Sequence, residues 1–501
     1  MVGMERDQRS LQETVLRQGM WVSFASFVNN FSGFVYWLAV SALGGAEFLG
    51  YASTAVGLSS MLVGLGSLGV GVGVQKFVGE ALGRGDTDTL TEYAWSSFFF
   101  ALTAYLGVAV TAWALSAACP SLLGLPSDIV MVASILTVLS AGTVLGGALA
   151  ASLHAHVMTL SALVGNVARL TVGLSLLVLG MGWVGVALGY AVNSAVALVV
   201  YVAYVLSRFG ARFHLSLKAV RDVLRAGVVS WLPNAIVLTG QWLSLLVVFG
   251  SGGAFEAGSY YVAFMISLFV VSLASSSSML LLPVLSGMAD GRKRACDAVL
   301  RLGLLVTAPL ALALAAYPKA PLRLLGEEYV GASRTLTILL ASSLLAVYVM
   351  AVTSLAYAYD SYGAVLGIGT ATSVPRIALY FLLVPSMGGL GAALAFLAGS
   401  VCGAASGALY AWRVGFRTPY RGIAATVLVP AAIGAVTVML SLPWFVGIPL
   451  VVASSYLAYA RAGLLSRRDA GVLFRALIPL PLRRYMRPIA ELAARLVFEQ
   501  R

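Results

Sequence analysis

Long apolar runs separated by short polar segments make up most of this sequence. Fourteen runs can be distinguished, and most reach the ~20 residues that a helix needs to cross a bilayer. Because a backbone in lipid must satisfy its own hydrogen bonds, such runs predict helices. Only 10% of the residues are charged, against about a quarter in soluble domains. We therefore predict an all-α polytopic membrane protein with spans near residues 20–41, 49–73, 93–115, 128–151, 157–179, 182–206, 226–250, 258–284, 299–317, 335–357, 362–384, 388–411, 422–440 and 443–461.

The distribution of basic residues predicts the orientation. If the N-terminus is cytoplasmic, the inner segments hold 26 of the 31 Lys and Arg, and such a bias marks the cytoplasmic side. We expect a multi-pass protein of the cell (cytoplasmic) membrane with both termini inside. The segment from Arg461 to Arg501 has nine Arg and three acids, which favours a basic amphipathic tail on an anionic leaflet. Nucleic-acid binding is the less typical alternative, and we expect no nucleic-acid partner.

An internal repeat is visible at an offset of 206 to 208 residues. Leu16–Gly19 matches Leu224–Gly227, Gly185–Ser194 matches Gly391–Ser400, and Arg376 follows Arg169 by 207 residues. This repeat predicts two pseudo-symmetric six-helix lobes followed by two further helices. The predicted divisions are a cytoplasmic N-terminus at 1–19, an N-lobe at 20–207, a C-lobe at 208–413, spans 13 and 14 at 414–461 and a tail at 462–501.

Arg169 and Arg376 each lie in the middle of an apolar run. A charge inside a bilayer costs roughly 3 kcal/mol on the lenient insertion scale, so it is rarely without a role. All 19 acidic residues can be placed outside the spans or at their ends, which predicts a cationic interior. Such an interior favours an anion, and a guanidinium suits phosphate through its planar donor fork. The alternative is that each arginine bridges helices structurally.

Three motifs are better explained by packing or by isolated side chains than by a cofactor. Gly64–Gly69 has the spacing of a dinucleotide loop but lies inside an apolar run, where Gly57, Gly64, Gly66, Gly69, Gly71 and Gly73 predict close helix packing. His154 and His156 point to different faces of a helix. Cys119, Cys296 and Cys402 have no metal or disulfide spacing. We expect no cofactor and no metal.

Several soft glycine- and turn-based motifs carry a resemblance to a known family. They are Gly50-Tyr51, Val78–Asp86, Leu324–Ala332 and Gly388–Ala393. With the duplicated six-span unit, they make the chain similar to the multidrug/oligosaccharidyl-lipid/polysaccharide (MOP) exporter superfamily, specifically its lipid-linked oligosaccharide flippases. The resemblance implies two lobes around a cavity lined by spans 1, 2, 7 and 8. It also implies alternating access that carries a polyprenyl-phosphate-linked glycan across the membrane for surface polysaccharide assembly.

The expected substrate-binding residues combine the arginines with nearby polar side chains on four spans. They are Arg169, Arg376, Asn166, Ser373, Asn30, Asn234 and Gln241. The implied partners are an anionic glycolipid substrate, membrane lipids and glycan-assembly enzymes, and the sequence leaves the oligomeric state open. The main alternative is a multidrug or organic-ion exporter of the same superfamily. A membrane enzyme and an assembly scaffold are the rival classes, and we expect no enzymatic activity.

Overall fold

The computed structural model describes residues 2–118, 124–210, 215–286, 291–466, 469 and 471. Side chains are described for these residues except 2–20, 22, 23, 27 and 275–286. Nearly all of the predicted basic tail and Cys119 lie outside the described residues. Within them, every regular element is a helix, so the predicted all-α fold is confirmed.

Fourteen α-helices and two short turns of other helix types succeed one another along the described chain. The helices are α1 (Val2–Gly66), α2 (Val70–Gly83), α3 (Thr87–Ala118), α4 (Ser127–Leu139), α5 (Gly142–Ala151), α6 (Ala155–Leu176), α7 (Gly182–Phe209), α8 (Leu217–Ser286), α9 (Arg292–Ala316), α10 (Lys319–Leu325), α11 (Ser333–Ala358), α12 (Tyr362–Arg413), α13 (Tyr420–Met439) and α14 (Trp444–Arg461). A π-helical turn (Leu177–Met181) joins α6 to α7, and a 3₁₀ turn (Glu327–Ala332) precedes α11.

Nine helical stretches of the described chain are long and apolar enough to cross a membrane. Four of them run for 43 to 58 residues, about twice the length that one crossing requires. Each of these four contains two predicted spans, so a helix count alone does not equal a span count. The predicted multi-span membrane fold is confirmed, and the number of fourteen spans stays a prediction.

Glycines break the four long stretches between their predicted spans. Gly45 (φ 76°, ψ 177°) and Gly253 (φ 77°, ψ −174°) have almost the same non-helical backbone and lie 208 residues apart. Gly182 (φ 58°, ψ −144°) and Gly388 (φ 55°, ψ −136°) form a second such pair at an offset of 206. Positive φ is costly for residues that carry a Cβ, which explains glycine at these points. The sequence repeat is therefore also a repeat of backbone conformation.

The chain divides into two compact units. The first comprises Met1–Tyr261 and Ile377–Ala392, and the second comprises Val262–Arg376 and Ala393–Arg501. In the first unit, α2, α3, α5 and α7 enclose a core that contains Trp95 and Tyr105. In the second, α9, α11 and α12 enclose a core around Val347 and Leu300. The lobe boundaries predicted from the repeat stay a prediction.

A row of glycines in the first unit brings α1 against α8. A Cβ at Gly57 would lie 3.2 Å from the side chains of Leu245 and Trp242, and one at Gly64 would lie 3.1 Å from Leu238. Small residues permit such close approach of membrane helices. The packing role predicted for these two glycines is confirmed.

The glycines from Gly66 to Gly73, which lead into α2, also lie at close contacts, with one exception. A Cβ at Gly69 would overlap the Gly227 carbonyl, and one at Gly73 would overlap the Val223 carbonyl. A Cβ at Gly66 would lie 3.1 Å from Tyr105, whereas a Cβ at Gly71 would meet no described atom within 4 Å. Close packing is confirmed for Gly66, Gly69 and Gly73, whereas at Gly71 the packing does not require glycine.

One contact between α1 and α8 is reciprocal. A Cβ at Gly50 would overlap the Ala254 carbonyl, and a Cβ at Gly258 would overlap the Ala46 carbonyl. Ala46 and Ala254, like Gly50 and Gly258, are 208 residues apart. A surface that meets its own repeat-equivalent in this way has local two-fold symmetry. The internal repeat thus generates a pseudo-two-fold contact inside the first unit.

Candidate functional site

Arg169 lies in the middle of α6 and is only 4% exposed. Its guanidinium carbon is 4.8 Å from the ring centre of Tyr190 on α7 and 5.3 Å from that of Tyr36 on α1. Nη2 donates a long hydrogen bond of 3.4 Å to the Ser32 hydroxyl. The first-repeat arginine is therefore held between three helices of one unit by two aromatic rings and one hydroxyl.

Asn166 lies one helical turn before Arg169 and is equally buried, at 2% exposure. Its Nδ2 donates to Asn29 Oδ1 at 2.7 Å and to the Ala162 carbonyl at 2.6 Å. Its Oδ1, like Arg169 Nε, has no hydrogen-bond partner among the described residues. An unsatisfied buried polar group costs about 1–3 kcal/mol. The structure thus leaves a donor and an acceptor unused on two predicted site residues that lie one turn apart on α6.

Aromatic side chains pack around the Arg169 guanidinium. The Tyr36 hydroxyl donates to the Val186 carbonyl at 2.7 Å, which fixes its ring between α1 and α7. Trp37 lies 5.3 Å from Tyr190 and 5.0 Å from Tyr261, measured between ring centres. These contacts hold the Tyr190 ring in place. The sequence prediction did not include Tyr36 or Tyr190.

Arg376 has a related environment in the second unit. It is 4% exposed, its guanidinium carbon lies 3.7 Å from the ring centre of Phe396, and Nη2 donates to the Ser400 hydroxyl at 3.2 Å. Phe396 follows Tyr190 by 206 residues, the offset of the surrounding repeat. Each arginine is therefore stacked on the same repeat position of the helical segment that follows the break at Gly182 or Gly388. The shared offset relates the two rings to each other, but their contact with the arginines is visible only in the structure.

The other predicted site residues differ in exposure. Ser373 is fully buried, and its hydroxyl has no hydrogen-bond partner among the described residues. Asn30 on α1 and Asn234 on α8 are exposed, and Gln241 on α8 is half-buried. The first-repeat arginine is thus accompanied by Asn166, while Asn30, Asn234 and Gln241 present polar groups elsewhere on their helices. Their role in binding stays a prediction.

Metal-binding chemistry has no visible support in the described part of the chain. No three His, Cys, Asp or Glu side chains cluster there as metal ligands would. His154 and His156 have ring centres 6.0 Å apart, and His154 packs 5.5 Å from Tyr204. The chemistry offered by the buried arginines is instead electrostatic attraction and donation of charge-assisted hydrogen bonds.

The fold is similar to those of several solved transporters. Lipid II flippase MurJ in an inward closed conformation superposes with a TM-score of 0.69 at 14% identity, covering 89% of this chain and 98% of that one. An inward-facing multidrug resistance MATE family transporter of the MOP superfamily gives 0.62 at 15% identity, covering 83% and 98%. The Vibrio cholerae MATE transporter VcmN, in a singly substituted form, gives 0.59 at 15% identity, covering 80% and 97%. The superfamily resemblance noted in the sequence is thereby confirmed at the level of fold.

Sequence comparison gives the family. No curated protein sequence matches the chain at a significant level. The family model for "Polysaccharide biosynthesis protein" matches residues 54–334. Since that match spans more than half of the sequence, this membrane protein, with its MOP-superfamily fold, belongs to the polysaccharide biosynthesis protein family.

Proposed function

We propose that the protein is a transporter that flips a polyprenyl-phosphate-linked oligosaccharide, or a related anionic lipid, across the cytoplasmic membrane. The family supports a role in making surface polysaccharide, and the fold is shared with a lipid II flippase. On this proposal the protein works by alternating access and is not an enzyme. Both termini are cytoplasmic, and the glycan is supplied and consumed by assembly enzymes on the two sides of the membrane.

The observation that carries this proposal is the repeated buried arginine. Arg169 and Arg376 occupy equivalent positions and are each 4% exposed. Removing a charge from water costs several kcal/mol even after relaxation. A stacked ring returns about 2 kcal/mol when desolvated, so the aromatic partners alone do not offset that cost. For Arg169, whose Nε has no hydrogen-bond partner among the described residues, a negatively charged substrate would supply the missing compensation.

The chemistry of each protein group determines which part of the substrate it would contact. The guanidiniums would hold the phosphate or diphosphate through paired hydrogen bonds. The exposed amides Asn30 and Asn234, with Gln241, would contact glycan hydroxyls, and the polyprenyl chain would stay in lipid. Loading requires that helices move to uncover the arginines, and the glycine breaks provide points at which α1, α8 and α12 can bend.

The membrane potential can provide driving force. With the inside negative, outward movement of an anion through the full field gains ~2.3 kcal/mol per charge per 100 mV. The chain therefore needs no energy-coupling domain of its own for this direction of transport. Dissipating the potential with an ionophore should slow flipping in proportion to the charge moved.

The proposal is tested by removing the two charges and measuring flipping directly. We expect Arg169→Gln with Arg376→Gln to lower the flipping of a polyprenyl-diphosphate-linked oligosaccharide in proteoliposomes at least tenfold, because the phosphate loses both donors. Arg334→Gln is the matched control, since that side chain is exposed. The double variant should keep the monodisperse chromatographic profile of the unchanged protein. A folded double variant that flips at the normal rate would refute the proposal.

An organic-ion or multidrug exporter is the second candidate. The observation that favours it is the similarity to MATE transporters, at TM-scores up to 0.62 among the matches given above. Ion-dependent efflux of a fluorescent organic cation from cells producing the protein would support this alternative. Such efflux should remain in the double arginine variant if the substrate is a cation.

A further inference from the structure

The Arg169 guanidinium is a buried cation without an acidic partner in the described part of the chain. Among the described residues, no aspartate or glutamate forms an ion pair with it. Its hydrogen bond to the Ser32 hydroxyl is long at 3.4 Å, and Nε has no partner among the described residues. Its ring contacts, Tyr36 and Tyr190, are neutral groups. The local environment therefore lacks the negative charge that a buried guanidinium requires.

The neighbouring amide narrows the class of ligand that would supply this charge. Both hydrogens of Asn166 Nδ2 are used, by Asn29 and by the Ala162 carbonyl, so the amide orientation is fixed by its partners. Oδ1 is then left as a buried acceptor one turn from the unused Arg169 Nε donor. An anion that carries both a negative oxygen and a hydroxyl group would satisfy the two groups at once. A protonated phosphate group has both, whereas a halide has only the charge.

We infer that the first repeat contains a phosphate-binding site formed by Arg169, Asn166 and Ser32. A phosphate oxygen accepts from the guanidinium and the Ser32 hydroxyl, and a P–OH group donates to Asn166 Oδ1. All three residues belong to the first unit, so the site is complete without Arg376. The ligand is either free inorganic phosphate or the terminal monoester phosphate of a lipid, since a diester phosphate carries no P–OH group. The inference concerns binding and holds whether or not the chain moves a lipid.

The second repeat has different residues at two positions of this site. At the position of Asn166 it has Ser373, and at the position of Tyr190 it has Phe396. A serine hydroxyl can donate as well as accept, so it does not require a ligand hydroxyl as a carboxamide oxygen does. The combined requirement for an anionic oxygen and a P–OH group is therefore a property of the first repeat.

The first measurement uses the full chain in nanodiscs of phosphatidylcholine. Equilibrium dialysis with radiolabelled inorganic phosphate should show Arg169-dependent binding, and phosphate should raise Tm above its value in sodium chloride or sodium gluconate of equal ionic strength. Arg169→Gln should abolish both effects, whereas the exposed-charge control Arg334→Gln should retain them. Asn166→Leu should reduce the preference for phosphate over chloride.

A second arm identifies the source of the phosphate group. Nanodiscs containing polyprenyl phosphate replace the inorganic salt, and a rise in Tm that depends on Arg169 in this arm alone would assign the site to a lipid headgroup. Absence of a response in both arms would overturn the inference, as would unchanged binding in a folded Arg169→Gln protein.

Two milder variants keep the test decisive if Arg169→Gln does not fold. Arg169→Lys retains the charge but loses the planar donor fork, and it should weaken phosphate binding about tenfold. Ser32→Ala removes one donor and should weaken binding less. Equal affinity in the unchanged protein and in both variants would contradict the assignment. Phosphate binding without lipid flipping would leave this site standing and would reject only the proposed transport function.

Discussion

At the scale of single residues, the two arginines show how a repeat conserves a contact while changing its chemistry. Arg169 stacks on Tyr190 and Arg376 on Phe396, and the rings are repeat equivalents. The ring is common to both halves, so the stack accounts for the placement of the guanidinium. The Tyr190 hydroxyl and the Asn166 carboxamide have no counterpart at Phe396 and Ser373, so they account for a difference in binding.

Substitutions at Tyr190 test the contribution of the stack. Tyr190→Phe reproduces the ring of the second repeat and should cost no more than about 1 kcal/mol, the size of one hydrogen bond. Tyr190→Leu removes the π face and should cost about 2 kcal/mol more, the value typical of a desolvated cation–π contact. Thermal unfolding of the purified variants in detergent measures the difference. Equal Tm values for Phe and Leu would show that the ring only fills space.

Sequence analysis could find the arginines but not their partners. A charge in an apolar run stands out by its cost, and the repeat offset singles out Asn166 and Ser373 as its neighbours on the same helix. Tyr36 and Tyr190 approach from other helices, and their approach depends on helix rotation and tilt. Those quantities are set by packing across the whole bundle and have no local sequence signal.

At the scale of helices, glycine performs two different tasks. At Gly45, Gly182, Gly253 and Gly388 it adopts a positive φ and breaks a long helix, whereas at Gly50 and Gly258 it permits contact between backbones. Hydropathy located the apolar runs well but could not tell a break inside one continuous helix from a loop between two. The chain contains 53 glycines, and composition does not distinguish those that bend from those that pack.

Substituting alanine at two helical glycines should distinguish the cost of disrupting a backbone contact from the gain in helix propensity. Gly50→Ala places a methyl group on the Ala254 carbonyl, so α1 and α8 must separate, and we expect a loss of several degrees in Tm or failure to fold. Gly71→Ala meets no described atom within 4 Å and should be neutral or stabilise by up to ~1 kcal/mol through helix propensity. Thermal unfolding of both proteins gives the comparison. A Gly50→Ala protein as stable as Gly71→Ala would contradict the backbone contact.

At the scale of the whole chain, the two repeats differ in length at one informative place. Twelve residues lie between Arg169 and Gly182, but eleven lie between Arg376 and Gly388. The longer stretch contains the turn Leu177–Met181, in which Gly180 is itself non-helical (φ 88°, ψ 11°), and the shorter one is α-helical up to its break at Gly388. A turn that departs from α-helical geometry in this way can accommodate one extra residue. We infer that the change in offset from 207 to 206 is a one-residue insertion absorbed by this turn.

Single-residue deletions test that inference. Deleting Leu179 from this turn should shorten it to the length found in the second repeat and preserve the positions of Arg169 and α7, so the protein should fold with a Tm within a few degrees of the unchanged chain. Deleting Leu382 from α12 is the matched control, since the two side chains are 77% and 70% exposed. In a regular helix that deletion rotates all later residues by about 100° and shifts them by about 1.5 Å, which should misalign Phe396 with Arg376 and prevent recovery of monodisperse protein. Equal tolerance of the two deletions, or better tolerance of the Leu382 deletion, would show that the π turn is not the site of the insertion.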